Sequence, residues 1–473
     1  MIVALPAVLL ALAACAAFGL RKRISDVAWL SLAAVTVAFV LLAVTPADAA
    51  VRLVDLDVRT TALGRLAGLV LLVTIAMLLV DVVVAEPAYN FFPTALAVGA
   101  VVLAVLVVSS PIVILALVVI GLVLPVGTFT FQVHRNRSVE AAVRHYSFVI
   151  LGGSLGLGAL AVAASLPKDQ PAQTIVLLAV LLFVSFALLL AAIPFHTHAA
   201  LLAGEAPATA LALYFGVLVP LTLIAFAEIL AGSGLLPAIV QVSKVQDLLL
   251  GIGMASALGG ALLAAGASDL RRLVVYAVIS NLGASLVGIA TLSGPGIIGG
   301  IAIALLTGAC ATQQLLAAGT IERRAGRERP NVAHAPLAAG AFIAGGIAMI
   351  GAPPLITFPG HFFVDLIAYA VSGFAGAALV AAAILLLIAQ LRAGVRLFAG
   401  SPEELADRAA ARGRGPRRPD LPGAPRRRHR PGRVPPADRR VRRRIPEGAP
   451  TPLVPSRGEA IRHVQQIREL ERL

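Results

Sequence analysis

Long apolar runs with few charges recur through the first 400 residues of the chain. About 20 apolar residues in a helix cross the roughly 30 Å hydrocarbon core of a bilayer. Inside that core only helices and closed barrels satisfy their backbone hydrogen bonds, and runs this long indicate helices. Because 59% of the residues are hydrophobic and 13% are charged, the composition excludes a soluble globular protein. The sequence therefore predicts an all-α, polytopic membrane helix bundle.

The apolar runs long enough to cross a bilayer predict about 13 spans. They cover residues 2–20, 28–45, 62–85, 93–109, 111–132, 146–166, 173–193, 208–231, 247–266, 273–292, 296–320, 336–357 and 374–398. If the chain starts outside, successive crossings place the arginine-rich loops and the C-terminal tail on one side. An excess of Lys and Arg marks the cytoplasmic side of a membrane. We therefore expect a multi-pass protein of the cell inner (cytoplasmic) membrane with a cytoplasmic tail.

The stretch from Pro194 to Leu230 combines the histidines His196 and His198 with two prolines, Pro207 and Pro220, inside an apolar run. A helix interrupted within a bilayer is tolerated only where protein or a water-filled cavity satisfies the freed backbone groups. Such helices are typical of ion paths. We predict that both prolines break this helix. No third ligand lies near the two histidines in sequence, so we predict no metal site.

Residues 401–473 form a tail of different composition, dense in Pro, Gly and Arg. They hold 19 of the 38 Lys and Arg residues and contribute +10 of the formal net charge of +14. Such a segment cannot bury a core, so we predict disorder, apart from a short amphipathic helix near residues 458–473. The tail lacks interleaved aromatic residues. We therefore expect contact with the lipid bilayer and no nucleic-acid partner.

Four segments carry recognisable motifs in a fixed order. Residues 138–146 (SVEAAVRHY) resemble S-x-E-A-A-x-K-Y, and residues 194–207 (PFHTHAALLAGEAP) resemble P-F-H-x-W-x-P-D-x-Y-x-G-A-P without its Trp and Pro-Asp. Residues 268–283 (SDLRRLVVYAVISNLG) resemble D-[LI]-K-R-L-x-x-Y-S-S-I-S-H-x-G. Residues 351–362 (GAPPLITFPGHF) resemble G-x-P-P-x-x-G-F-x-G-K-F.

Together these motifs resemble the proton-conducting antiporter-like subunits of respiratory NADH-quinone oxidoreductase, with the subunit N type as the best fit. Mrp-type cation/proton antiporters and membrane-bound hydrogenase subunits share this fold. The resemblance implies two inverted five-helix repeats, each with a discontinuous helix, in a core at 111–400 that follows N-terminal membrane helices at 1–110. It also implies a non-catalytic subunit that binds no cofactor and whose partners are other membrane subunits of a complex I-like assembly.

A proton path needs side chains that gain and lose protons inside the low-dielectric core. At the second broken helix His361 takes the place of the motif lysine, and Asp365 lies one turn further on, so this pair is our first candidate. His196 is a second candidate, as a relay or as a helix cap. Glu140 is a third, although its spacing to Arg144 also fits a surface ion pair. Arg271 replaces the motif lysine with a permanent charge, either in the path or at the headgroups.

Two positions lack the buried charges that the resemblance implies. Ungapped alignment places Ile120 where the family has a buried Glu, and Val219 where it has a buried Lys. These losses leave three hypotheses: a transporting subunit with a rerouted proton path, a structural paralogue that conducts little, and a separate antiporter.

Overall fold

The computed structural model describes residues 2–53, 56–84, 90–130, 137–166, 172–235, 243–326 and 331–399. Within these ranges the chain forms a bundle of apolar helices, which confirms the all-α membrane class. The predicted tail at 401–473 and its amphipathic helix lie outside the described residues, so both stay predictions. The predicted division at residues 110 and 400 also stays a prediction.

The first helices precede the motif-bearing core. They are α1 (Leu5–Gly19), α2 (Ile24–Val44), α3 (Ala62–Val84) and α4 (Phe91–Val107). Between α2 and α3 the chain forms an antiparallel hairpin of β1 (Ala50–Leu53) and β2 (Leu56–Arg59), in which Ala50 pairs with Arg59. The sequence analysis did not predict this hairpin. It lies in the loop between two spans and leaves the helical class unchanged.

The next helices carry the first two motifs. They are α5 (Pro111–Val123), α6 (Val126–Phe129), α7 (Ser138–Ser165), α8 (Ala172–Leu189), α9 (Thr197–Glu205), α10 (Ala208–Leu213) and α11 (Val219–Gly232). A π-helical turn at Tyr214–Leu218 joins α10 to α11. A non-helical turn separates α8 from α9 at residues 190–196. This turn is the first break of the bundle.

The last helices carry the other two motifs. They are α12 (Ser243–Gly266), α13 (Leu270–Ala290), α14 (Gly294–Ala325), α15 (Pro336–Ala348), α16 (Phe358–Val371) and α17 (Gly373–Ala399). Turns and bends at residues 349–357 separate α15 from α16. This segment is the second break, and each half of the core thus contains one discontinuous helix.

Nine helices among the described residues are long and apolar enough to cross a membrane, and shorter apolar helices such as α4, α15 and α16 accompany them. The number of thirteen spans stays a prediction, because pairs of short helices on either side of a break can together make one crossing. One predicted span is wrong in its extent. The run at 336–357 is helical only to Ala348, and α16 begins where we predicted a connection between spans.

The prediction that Pro220 breaks its helix is also wrong. Pro207 does separate α9 from α10, but the chain stays helical through Pro220. Proline lacks an N–H and clashes with the preceding turn of an α-helix. The π-helical turn widens the backbone just before Pro220, and the N–H of Val219 bonds to the carbonyl of Tyr214 five residues back. This wider turn accommodates the proline without ending the helix.

Two helical segments lie in the interior of the bundle. In the spans at Ala208–Gly232 and Leu270–Ala290, 94% of the residues in the most apolar window are buried by protein. Glycines let neighbouring helices touch them closely. A Cβ on Gly283 would lie 2.6 Å from the Gly253 carbonyl oxygen and 2.7 Å from the Ala257 Cα. A Cβ on Gly308 of α14 would lie 2.6 Å from the Gly216 carbonyl oxygen in the π-helical turn.

Side chains of α12 and α13 satisfy backbone groups at both breaks. At the first break the Ile193 N–H donates to the hydroxyl of Ser256 over 3.0 Å. At the second break the Asn281 amide donates to the Met349 carbonyl over 2.9 Å, and the Thr357 hydroxyl donates to the Ala348 carbonyl. Because an unsatisfied backbone group in a membrane costs several kcal/mol, these bonds let the helices end inside the bundle.

We expect Gly283→Ala to lower the free energy of unfolding by about 1–3 kcal/mol, because the added methyl group meets the α12 backbone, which cannot move aside alone. Gly251→Ala on α12 is the matched control. A Cβ there meets nothing within 4 Å, so helix propensity should leave stability unchanged or raise it by up to ~1 kcal/mol. Thermal unfolding of both variants in detergent tests this, and equal midpoints would contradict the close packing of α12 and α13.

Candidate functional site

His361 lies at the second break, in the first turn of α16. Its side chain is buried, and its Nε2 atom has no hydrogen-bond partner among the described residues. The loop passes close over the ring, since Gly351 has a φ of +78° and a Cβ there would meet the His361 imidazole. The break therefore surrounds a titratable side chain that has a ring nitrogen left to exchange a proton.

Asp365 follows His361 by four residues on α16, the spacing that makes side chains neighbours on a helix. The residue is half-buried, whereas Phe362, Phe363 and Leu366 around it are exposed large hydrophobic residues. The structure thus brings the two predicted partners to one side of α16. It places the carboxyl group at the edge of the bundle and the imidazole inside it.

Arg271 lies inside the bundle and not at the headgroups, with only 1% of its surface exposed. Its Nη1 donates to the Ala206 carbonyl over 2.8 Å, and its Nε lies 3.1 Å from a carboxylate oxygen of Glu322 on α14. Ala206 is the residue just before Pro207, where α10 begins, so no helical N–H continues to its oxygen. Arg271 therefore supplies a hydrogen bond that the interrupted backbone lacks, and its charge is fixed by that role.

Glu140 lies at the exposed start of α7. Its carboxylate accepts hydrogen bonds from Arg137 over 2.8 Å and from Arg144 over 3.4 Å. All three side chains are more than 40% exposed. This is the surface ion pair that the sequence spacing allowed, and it lies apart from the buried groups of the two breaks.

The first break contains a cluster of rings that the sequence analysis did not assemble. His198 on α9 lies against His145 on α7, with ring centroids 5.5 Å apart, and His145 contacts Tyr214 in the π-helical turn at 4.8 Å. These three side chains have no exposed surface. His196 is the residue before α9 and makes no capping hydrogen bond, and its Nδ1 has no partner among the described residues.

Each cluster histidine bonds one carbonyl and leaves its other nitrogen without a partner. His145 Nε2 lies 3.1 Å from the Leu122 carbonyl oxygen, and His198 Nδ1 lies 3.1 Å from the Phe195 carbonyl oxygen. Within the described ranges His145 Nδ1, His198 Nε2 and the Tyr214 hydroxyl are buried without a hydrogen bond. Natural proteins rarely leave such groups unpaired, so three in one contact cluster call for a functional explanation.

A signal for this cluster was present in the motifs. In ungapped register His145 stands at the Tyr of S-x-E-A-A-x-K-Y, and His198 stands at the Trp of P-F-H-x-W. Each departure is small when considered separately. Only the packing of α7 on α9 shows that these two histidines lie in contact, and no periodicity in the sequence reveals that packing.

The two positions of missing family charges differ in their surroundings. Val219 is fully buried directly after the π-helical turn, so its aliphatic side chain occupies an interior site. Ile120 is 51% exposed and lies on the outer surface of this chain. Two residues further on, the Leu122 carbonyl faces the interior and bonds His145. In the described part of the chain, no group of three or more His, Cys, Asp or Glu is placed to hold a metal ion.

Comparisons with known proteins agree with these features. A family model described as NADH:quinone oxidoreductase/Mrp antiporter, transmembrane, matches residues 145–386, which is about half of the chain. NADH-quinone oxidoreductase subunit 13 of Thermus thermophilus is 33% identical over 135 residues. That alignment spans 28% of this chain and 29% of the relative.

Solved structures share the fold over most of the chain. A chain of the Mrp complex from Dietzia sp. DQ12-45-1b superposes with a TM-score of 0.76 at 20% identity, over 85% of this chain and 81% of that one. A chain of respiratory complex I from Thermus thermophilus gives 0.69 at 22% identity, over 84% and 89%. A chain of the membrane-bound sulfane sulfur reductase, an archaeal respiratory membrane complex, gives 0.70 at 17% identity, over 84% and 88%. The bundle with inverted repeats and discontinuous helices is therefore confirmed as the fold class.

We expect Arg271→Met to lower the free energy of unfolding by ~1.5–3 kcal/mol, because it removes a charged donor from the buried Ala206 carbonyl and one cation from Glu322. Arg272→Met is the matched control, since the next side chain in sequence is exposed. Thermal unfolding in detergent compares the two variants. Equal losses would show that Arg271 contributes no more than a surface arginine.

Proposed function

Since this chain belongs to the NADH:quinone oxidoreductase/Mrp antiporter transmembrane family, we propose that it is a membrane subunit of a redox-driven, proton-translocating assembly of the NADH:quinone oxidoreductase kind. Its partners are other membrane subunits of that assembly, and electron transfer takes place in other subunits than this chain. The chain lies in the cell inner membrane with its basic tail in the cytoplasm. It contributes a path for protons and no catalytic residue.

His361 is the single observation that carries this proposal. It is buried at a helix break within a bilayer-spanning bundle, and its Nε2 has no hydrogen-bond partner among the described residues. Purely structural histidines in such an environment are normally hydrogen-bonded, because an unpaired buried polar atom costs about 1–3 kcal/mol. A histidine that must exchange protons needs a free nitrogen lone pair for that purpose.

The surroundings of His361 support proton exchange by its ring. The Asn281 amide and the Thr357 hydroxyl occupy the carbonyls at the end of α15, so these polar groups serve the backbone. His361 accepts a proton on Nε2 and returns it, and Asp365 one turn away is the next acceptor along α16. Arg271 keeps its charge and holds the first half of the core against α14.

A second candidate is a cation/proton antiporter subunit, because the matching family description names Mrp antiporters beside the oxidoreductase. Both candidates use the same proton-exchanging side chains and differ in what drives the transport. In a non-conducting structural subunit, by contrast, His361 would have no part in proton flux. The two experiments below separate these possibilities.

We expect His361→Gln to lower the number of protons translocated per electron while electron transfer continues, because glutamine keeps the size and polarity of the side chain and cannot take up a proton. The measurement is proton uptake by energised membrane vesicles, normalised to the oxidation rate of the electron donor. His334→Gln, in the connection between α14 and α15, is the matched control and should leave the ratio unchanged. If His361→Gln also leaves it unchanged, the transporting role is lost.

We expect the tagged full chain to co-purify in mild detergent with other membrane subunits and with quinone-reductase activity. Mass spectrometry identifies the partners, and a native gel stained for activity locates the assembly. Migration of the chain alone would contradict the subunit proposal. Sodium-dependent proton flux without any redox partner would establish the antiporter candidate in its place.

A further inference from the structure

The cluster of His145, His198 and Tyr214 (the first-half cluster) has no place in the function proposed for His361. Its members come from three elements, α7, α9 and the π-helical turn, and all three are fully buried. Phe129 packs edge-on against His145 at 5.3 Å, and Phe148 lies 4.7 Å from His198. The cluster is therefore an enclosed group of rings and does not belong to an open surface.

The carbonyl partners fix the tautomers of the two histidines. A carbonyl oxygen only accepts hydrogen bonds, so His145 carries its hydrogen on Nε2 and His198 carries its hydrogen on Nδ1. The remaining nitrogens, His145 Nδ1 and His198 Nε2, are thus lone-pair acceptors. With the Tyr214 hydroxyl they give the cluster two proton acceptors and one group that both donates and accepts.

The two histidines replace aromatic residues of the motifs as a pair. Retaining Tyr and Trp at these positions would fill the same space with rings that carry no titratable nitrogen. Two histidines in contact are a costly substitution in a membrane, since each brings a polar atom that this site does not pair. The pair also lies in the half of the core where Val219 has replaced the buried family lysine.

Charged groups near the pair are few and lie at its edges. Charged and titratable side chains occur on α7, α9, the π-helical turn and the facing start of α13, and on residues next to these elements. They are Arg137, Glu140, Arg144, Tyr146, His196, Glu205, Tyr214, Asp269, Arg271, Arg272 and Tyr276. The carboxylate of Glu140 is bonded to arginines at the surface, and Arg271 is bonded to Glu322 and the Ala206 carbonyl. The described parts of α5, α6 and α8, which also pack against α7, carry no charged residue. Three further helices pack against the π-helical turn: α3 carries Arg65 and Asp81, α11 carries Glu228, and α14 carries Cys310, Glu322, Arg323 and Arg324.

We propose that the first-half cluster is a second proton-binding site, in which His145 and His198 together take up one proton. The proton enters on His145 Nδ1 or His198 Nε2 and forms one imidazolium. The other ring nitrogen and the Tyr214 hydroxyl stay in the same enclosed cluster without a hydrogen bond among the described residues. The same proton leaves on release, so no other bond forms or breaks. A second proton is excluded because two imidazolium ions in contact repel each other.

This inference rests on the proposed function for its purpose, but its test has an independent readout. Proton uptake by the purified assembly is measured during a step from about pH 8 to about pH 4, which extends below ordinary histidine titration because burial disfavours an imidazolium. We expect the wild type to take up one more proton per chain than the double variant His145→Phe/His198→Phe. Equal uptake overturns the site. A difference of two protons overturns the sharing of one proton by the pair.

Matched variants separate the titration from the packing of the rings. Phe129→Leu alters a ring that touches His145 without removing a titratable group, and its uptake should equal that of the wild type. If the double variant does not assemble, Tyr214→Phe is measured in its place. It retains the ring, so uptake should stay at the wild-type stoichiometry with a shifted midpoint. An unchanged midpoint contradicts a role for the hydroxyl and overturns the three-residue site.

Proton translocation distinguishes failure of this site from failure of the proposed function. If His361→Gln lowers protons per electron and the double variant changes neither uptake nor translocation, the first-half site is lost and the proposed function stands. If uptake shows one shared proton but neither variant changes translocation, the site stands and the transporting function is lost.

Discussion

Two helix breaks inside a lipid-embedded bundle leave backbone carbonyl and amide groups that the bilayer cannot satisfy. Polar side chains from neighbouring helices form the hydrogen bonds that these groups need. Ser256 and Asn281 reach the breaks from α12 and α13, and Arg271 reaches the carbonyl before Pro207. The donors come from helices of the second half and serve both halves. The two helices that carry these donors, α12 and α13, also approach each other closely at Gly283.

The satisfied backbone also determines which side chains remain available for chemistry. Asn281 stands where the motif has a histidine, and its amide is committed to the Met349 carbonyl. Arg271 stands where the motif has a lysine, and its guanidinium is committed to Ala206 and Glu322. Fixed donors have therefore taken positions where the motif has titratable residue types. The titratable groups near the breaks include buried imidazoles, with His361 at the second break and His145 and His198 beside the first.

The helical class could be predicted from sequence, because run length and hydropathy fix membrane helices almost independently of tertiary context. The discontinuous helices were indicated only by the family motifs. Pro220 shows where this reasoning fails. Local chemistry predicts a break, but the neighbouring π-helical turn supplies another hydrogen-bond pattern. The end of α15 at Ala348 was missed because the following apolar residues continue the hydropathy signal. The contact of His145 with His198 depends on the packing of α7 on α9, which leaves no trace in the spacing of either motif.

Gly216 and Gly308 bring the backbones of the two halves into direct contact. Backbone meets backbone where the π-helical turn touches α14, and Thr312 closes the gap beside it. A file of water molecules cannot thread between surfaces in such contact. At this contact the two halves therefore leave no room for a connecting file of water between the π-helical turn and α14.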